Sequence, residues 1–158
     1  MSKPKKFIGR KFEAIHRSRE LAIQFLYSID VVNKPEEDFE KSINLFLNLD
    51  EVSKDDTPEV KNRCHDLASQ VWSRKNEIDA LLLRTVTGWR PERMVSVDRA
   101  ILRLMVLEGF MEKTLPVRSA ITEATKLAND FGTKDSARFV NGVMCKIEKF
   151  FEQDKNNS

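Results

Sequence analysis

The chain is poor in turn-forming residues: its 158 positions include only five Gly and five Pro. A fold of many short strands needs a turn every few residues, so this scarcity argues against a β architecture and for long helices. Histidine and cysteine are also scarce, with two of each. Cys64 and His65 are adjacent, so on a helix they point to different faces and make a poor metal site. Cys64 and Cys145 lie far apart and read as buried thiols rather than a disulfide. There is no Gly-rich phosphate loop and no H-E-x-x-H pair of ligands, which leaves catalysis and cofactor binding without a motif. Glu77, Asp79, Glu92 and Asp98 show no pairing that would tune an acid against a base, and they read as solvated or partner-facing surface. No apolar run approaches the roughly 18 residues of a membrane helix. The basic N-terminal stretch MSKPKKFIGRKF is not followed by an apolar segment, which argues against a secretory leader. Neither an enzyme nor a metal or cofactor carrier is indicated, and a cytoplasmic binding protein is the class that remains.

The charge is unevenly spread. The net charge is only +2, yet Lys3, Lys5, Lys6, Arg10, Lys11, Arg17 and Arg19 crowd the start against Glu13 alone. The stretch from Glu36 to Asp56 leans acidic. Such asymmetry suits a mobile basic arm, residues 1–11, directed at a polyanion, though a solvated tail has the same composition.

Apolar residues recur at helical spacing along the rest of the chain. Leu21, Phe25, Leu26 and Ile29 form a stripe on a first helix from about Arg17 to Val31. Phe39, Ile43, Phe46 and Leu47 form a second, with Pro35 suited to open it. Pro58 starts a third, with Val60, Cys64, Leu67, Ala68, Val71 and Trp72 inward. A short helix over about Ile78 to Val86 ends at Gly88, and Trp89-Arg90-Pro91 forms a turn. The segment from about Val97 to Lys113 is apolar around most of its circumference, as a central buried helix would be. Pro116 marks another start. Gly132 suits the left-handed residue that ends a helix, and Thr133 or Asp135 can cap the next one. That last helix spans about Asp135 to Phe151, with a frayed tail over 152–158. Gly142 lies inside it at a cost of about 1 kcal/mol relative to Ala, which suggests that another backbone or a ligand comes close.

Several of these segments carry specific motifs. FGTKDSARFVNGV (Phe131–Val143) resembles the C-terminal signature of the NusB family, roughly FG-x-x-DS-x-x-FVNGVLD. RSRELAIQFLY (Arg17–Tyr27) resembles the family's first helix, R-x-R-E-x-A-x-Q-x-L-Y. DRAILR (Asp98–Arg103), followed by Glu108, resembles its central helix. Leu115, Pro116 and Val117, with Ala120, Ile121, Glu123, Ala124, Leu127 and Ala128, resemble its penultimate one. The blocks stand in family order between about residues 12 and 150.

The resemblance implies an all-α fold of about seven helices in two packed helical subbundles. It implies a single RNA-binding domain over 12–151 and a transcription antitermination factor that binds single-stranded boxA RNA. The partner it implies is NusE, a ribosomal small-subunit protein, with other Nus factors and RNA polymerase joining the complex. A homodimer of the free protein is a further arrangement it allows.

In this family the starts of the first and last helices flank the RNA path. Carried over by motif, the RNA-binding residues are His16, Arg17, Arg19 and Tyr27, then Asp135, Ser136, Arg138 and Phe139, with Lys11 added from the basic arm. Cations suit phosphates, and aromatic faces suit unstacked bases. Each also has a structural reading: Arg17 and Arg19 could pair with Glu13 and Glu20, Tyr27 could be a core aromatic, and Phe139 could pack on Val143. Asn141 and Gly142 are assigned mainly to helix packing. Glu92 and Asp98 flank the central helix and suit an acidic patch for a basic ribosomal protein.

The sequence departs from the family at one place. Many members carry a contiguous arginine run before R-E-x-A, where this chain reads Ala14, Ile15, His16, Arg17, Ser18, Arg19. Its cations lie farther out, from Lys3 to Lys11. Two alternatives remain at this stage. NusB-like domains also occur in rRNA cytosine methyltransferases, but that chemistry needs an α/β domain and a nucleophilic Cys for which this chain offers no segment. A protein–protein scaffold or homodimer without RNA binding is the other.

Overall fold

The computed structural model describes the backbone of residues 5–32, 38–54 and 56–156, and the side chains of these from residue 11 onward except 32 and 53. Among the described residues there is no strand. The described residues form eight α-helices: α1 (Lys5–Val32), α2 (Phe39–Leu47), α3 (Asp50–Ser53), α4 (Pro58–Ser73), α5 (Lys75–Thr85), α6 (Ser96–Val106), α7 (Val117–Phe131) and α8 (Ser136–Asn156). The all-α reading holds, and the single-turn α3 accounts for the helix beyond the expected seven or so. Contacts divide the chain into two compact units, Met1–Gln70 and Val71–Ser158.

The first unit is built on the apolar stripe of α1. Leu21, Phe25, Leu26 and Ile29 are all buried, as their spacing requires. Ile43 and Leu47 of α2 are buried as well. Phe25 meets Phe39 edge-on at 5.4 Å and Phe46 at 5.5 Å, within the 4.5–7 Å range that aromatic quadrupoles favour. Each such buried side chain contributes about 1.5–3 kcal/mol. Pro58 opens α4, where Thr57 Oγ1 accepts the Val60 N–H at 3.2 Å. Cys64 is fully buried on the inner face of α4, and burial pushes its thiol up to about 12. His65 is raised by a partner instead: its Nε2 lies 3.0 Å from Glu40 of α2, and that hydrogen bond raises its pKa. α1 begins at Lys5 rather than near Arg17. Residues 1–4 of the expected arm, and Pro35, lie outside the described residues.

The second unit is organised around α6, the central helix the sequence anticipates. Every residue from Ala100 to Phe110 is buried. Arg103 is held there by a two-pronged bond to Asp79 of α5, at 2.9 and 2.8 Å, so the buried guanidinium has a full partner. α6 continues into a wider π-helical turn, Leu107–Met111, where the Glu112 N–H donates to the Leu107 carbonyl at 2.7 Å. Gly109 lies in that turn, and a Cβ there would come within 2.7 Å of the Ala120 Cβ, so α7 approaches it too closely for a side chain. α7 and α8 are joined by the bond from Asn141 Nδ2 to Thr125 Oγ1, 3.2 Å, as expected of a packing asparagine. Cys145 is half-buried rather than buried, and both thiols are free.

Two turns decide where the functional side chains go. After α5, Gly88 adopts φ +76°, a conformation that favours glycine, and the chain reverses into Trp89. After α7, Gly132 is extended, with φ −90° and ψ −170°, and not left-handed as the sequence suggests. Glycine is needed there for space: a Cβ would collide with the Ser136 side chain and approach the Ala128 carbonyl oxygen to 2.7 Å. α8 runs on to Asn156, past the point where fraying is expected.

Candidate nucleic-acid interface

The candidate residues fall into two groups, one in each unit. On α1, Lys11 is exposed and His16 is half-buried. Tyr27 is 45% exposed, so it is not a core aromatic. Arg17 and Arg19 depart from expectation. Arg17 places Nε 2.8 Å and Nη2 3.0 Å from the Asp56 carboxylate, and this hydrogen bond raises its pKa. The Asp56 side chain is only 5% exposed, so removing Arg17 to a phosphate would strand a buried carboxylate. Arg19 is itself only 5% exposed. Arg17 is thus held by an acid distant in sequence, and Arg19 is withdrawn from water.

The second group surrounds the start of α8. The Thr133 N–H donates to Ser136 Oγ at 2.9 Å, and the Ser136 N–H donates to the Thr133 carbonyl at 3.1 Å. Ser136 is buried and its hydroxyl donates to Asp98 of α6. These bonds fix the start of α8. Asp135 precedes the helix and is exposed, with its carbonyl accepting the Phe139 N–H at 3.1 Å. Arg138 and Phe139 point outward. Phe139 is 42% exposed, which settles its choice between core and surface in favour of surface.

These residues line a cavity of about 810 Å³, closed on the other side by the turn from Gly88 to Val95. Four exposed cations stand around it: Arg90, Arg93, Arg138 and Lys146. Inside lie Trp89 and Asp98, 7% and 5% exposed. Neither Trp89 Nε1 nor Asp98 Oδ1 finds a hydrogen-bond partner among the described residues. Burial raises the Asp98 pKa, and the Ser136 hydrogen bond partly opposes it. Of the two acids expected to face the partner, Glu92 is exposed on the short helical turn Pro91–Arg93, and Asp98 lies inside a pocket whose rim is basic.

Gly142 also lines the cavity, and a Cβ there would meet nothing within 4 Å. Its assignment to helix packing is corrected too, since no protein group approaches it. Trp89, Arg90, Arg93 and Lys146 were not singled out by the sequence. One signal was available: positions 135, 139, 142 and 146 share a helical face. Nothing comparable marked Trp89, which reaches the cavity through a turn.

The NusB family profile matches residues 16–149 of this chain. A Desulforudis audaxviator protein named transcription antitermination protein NusB is 35% identical over 133 residues, covering 83% of this chain and 90% of that one. The structure of T. maritima NusB is similar with a TM-score of 0.72 at 25% identity, over 94% of this chain and 93% of that chain. A chain in a complex of antitermination factors NusB and NusE with dsRNA shares the fold, with a TM-score of 0.70 at 21% identity, over 87% of this chain and 97% of that chain.

Proposed function

The chain belongs to the NusB family, and from that premise we propose that it is a transcription antitermination factor that binds single-stranded boxA RNA together with NusE. It works without catalysis, in the bacterial cytoplasm, within a complex that includes other Nus factors and RNA polymerase. No described helix is long and apolar enough to cross a membrane. The observation that carries the reading is the α8 face: exposed Phe139 beside Arg138 and Lys146, over a cavity rimmed by Arg90 and Arg93. Single-stranded RNA is held by this combination, cations tracking phosphates and an aromatic face stacking a base. The positive end of α8 adds attraction for phosphate.

Lys11, His16 and Tyr27 are the RNA contacts proposed on α1, with the basic segment 1–11 supplying long-range attraction. Arg17 supports it indirectly, through its bond to Asp56. Glu92 is the acid offered to the basic partner NusE. A titration of boxA RNA, with and without NusE at two salt concentrations, tests the reading. Each phosphate contact should contribute about 0.7 to the slope of log K against log salt. Deleting residues 1–11 should flatten that slope. Binding that ignores both salt and the boxA sequence would remove the proposal, and would favour a scaffold or homodimer without RNA affinity.

A further inference from the structure

Ser136 joins three segments of the second unit. Its Oγ accepts the Thr133 N–H at 2.9 Å and donates to Asp98 of α6. A hydroxyl has one hydrogen and two lone pairs. With its hydrogen given to Asp98, Ser136 Oγ can only accept from Thr133 Oγ1, 3.2 Å away. The Thr133 oxygen in turn accepts the Asp135 N–H at 3.4 Å. Asp98 thereby sets the direction of the hydroxyl bonds in the turn between α7 and α8. Asp98 is also a fixed point. It is 5% exposed, two residues before the buried run Ala100–Phe110, and its neighbour Arg99 donates to the Pro91 carbonyl.

Farther along, α8 is held by Val140, Val143, Met144 and Ile147, all buried. Apolar burial is non-directional. It keeps the helix on the core but does not fix the aim of its first turn, around which Asp135, Arg138 and Phe139 are exposed. Resting on the RNA-binding reading, we propose that Asp98 is a positioning residue for that interface: through Ser136 it sets the first turn of α8, and so the aim of Arg138 and Phe139, without touching RNA. In Asp98→Ala the Ser136 hydrogen loses its acceptor. Thr133 Oγ1 is within reach, but a bond to it reverses the Thr133–Ser136 pair and leaves the Thr133 hydrogen without its acceptor. Asp98→Asn keeps an oxygen for Ser136 and preserves the order. The role of Asp98 is then architectural, and not the partner contact that its charge suggests.

The full chain is compared with Asp98→Ala, Asp98→Asn, Ser136→Ala and the double variant Asp98→Ala with Ser136→Ala, each at a temperature where circular dichroism shows it folded. Anisotropy reads boxA RNA affinity in the presence of saturating NusE, and a separate titration reads NusE affinity without RNA. Proton–nitrogen spectra follow amide exchange at Thr133. Asp98→Ala should weaken RNA binding roughly tenfold, within the worth of a stacked base, speed exchange at Thr133, and leave NusE affinity unchanged. Asp98→Asn should restore RNA affinity and slow exchange. Ser136→Ala should match Asp98→Ala, and the double variant should be no weaker than Ser136→Ala, because residues acting through one bond are not additive. If Asp98→Ala does not fold, Ser136→Ala against Asp98→Asn makes the same comparison.

Unchanged RNA affinity in the alanine variants, or lost affinity with unmoved Thr133 exchange, would overturn the positioning role and leave the RNA reading standing. So would a loss that Asp98→Asn shares in full, additive losses in the double variant, or weakened NusE binding in Asp98→Ala, which would make Asp98 a direct contact. An unaltered chain that binds no boxA RNA with NusE overturns the RNA reading, and the positioning role falls with it.

Discussion

Gly142→Ala should stabilise the protein and weaken its RNA binding. A glycine inside a helix costs about 1 kcal/mol relative to Ala, because its backbone loses more freedom on folding. That cost is recovered in full only if the new methyl group meets no obstacle, and at Gly142 it meets nothing within 4 Å. In a domain of this size about 1 kcal/mol corresponds to a rise of about 2–4 °C in the melting temperature. The same methyl projects into the cavity where RNA is proposed to lie. Crowding a packed contact costs about 1–3 kcal/mol, or about 5- to 150-fold in affinity. Scanning calorimetry reads the first effect, and anisotropy with labelled boxA RNA in the presence of NusE reads the second. Gly132→Ala supplies the contrast: its Cβ would collide with Ser136 and crowd the Ala128 carbonyl, so the same substitution there should destabilise by about 1–3 kcal/mol. If Gly142→Ala lowers stability, the space assigned to it is filled. If it raises stability and leaves affinity unchanged, nothing approaches the glycine and the cavity is not the RNA site.

Phe139→Ala should cost less stability than the roughly 3–5 kcal/mol of a buried Phe, since the ring is 42% exposed. It should cost about 1–3 kcal/mol of RNA affinity. Thermal melts and anisotropy separate the two, and a melt that collapses while binding persists would return Phe139 to the core. Asp135→Asn should tighten binding at low salt and less so at high salt, because an exposed carboxylate about 6 Å from a phosphate costs on the order of 1 kcal/mol. Weaker binding on titration would mean that Asp135 accepts hydrogen bonds from the RNA. The raised pKa of His65 makes the folded state bind the extra proton more tightly. The resulting stabilisation is complete below the ordinary value near 6.5 and is lost as pH rises through the folded value. With Glu40 65% exposed, it should amount to about 0.2–1 kcal/mol. Glu40→Gln should flatten the fall in denaturant midpoint across that window, and an unchanged profile would remove the pair from the pH dependence.

The sequence by itself determined the helices and their inward faces. A helical period is a local property, so Leu21, Phe25, Ile29 and Ile43 could be placed inside before any partner was known. The segment from about Val97 to Lys113, apolar around most of its circumference, likewise marked α6 as central. The motifs located the start of α8 but not that of α1, which begins at Lys5, and both Phe139 and Tyr27 are exposed. Helix ends were less legible. Gly132 was rightly placed at a terminus, but its reason is the nearness of Ser136 rather than a left-handed turn.

Only the tertiary structure decided which charges face water, because that depends on groups distant in the chain. Arg17 looks like a free cation until Asp56, 39 residues on, takes both its prongs. Asp98 looks like a surface acid until Ser136 of α8 bonds to it inside a cavity. The cavity itself joins a turn after α5 to one face of α8, and no local period links them. Burial and hydrogen-bond satisfaction are summed over neighbours in space, so the interior of the site became readable only when the chain had folded around it.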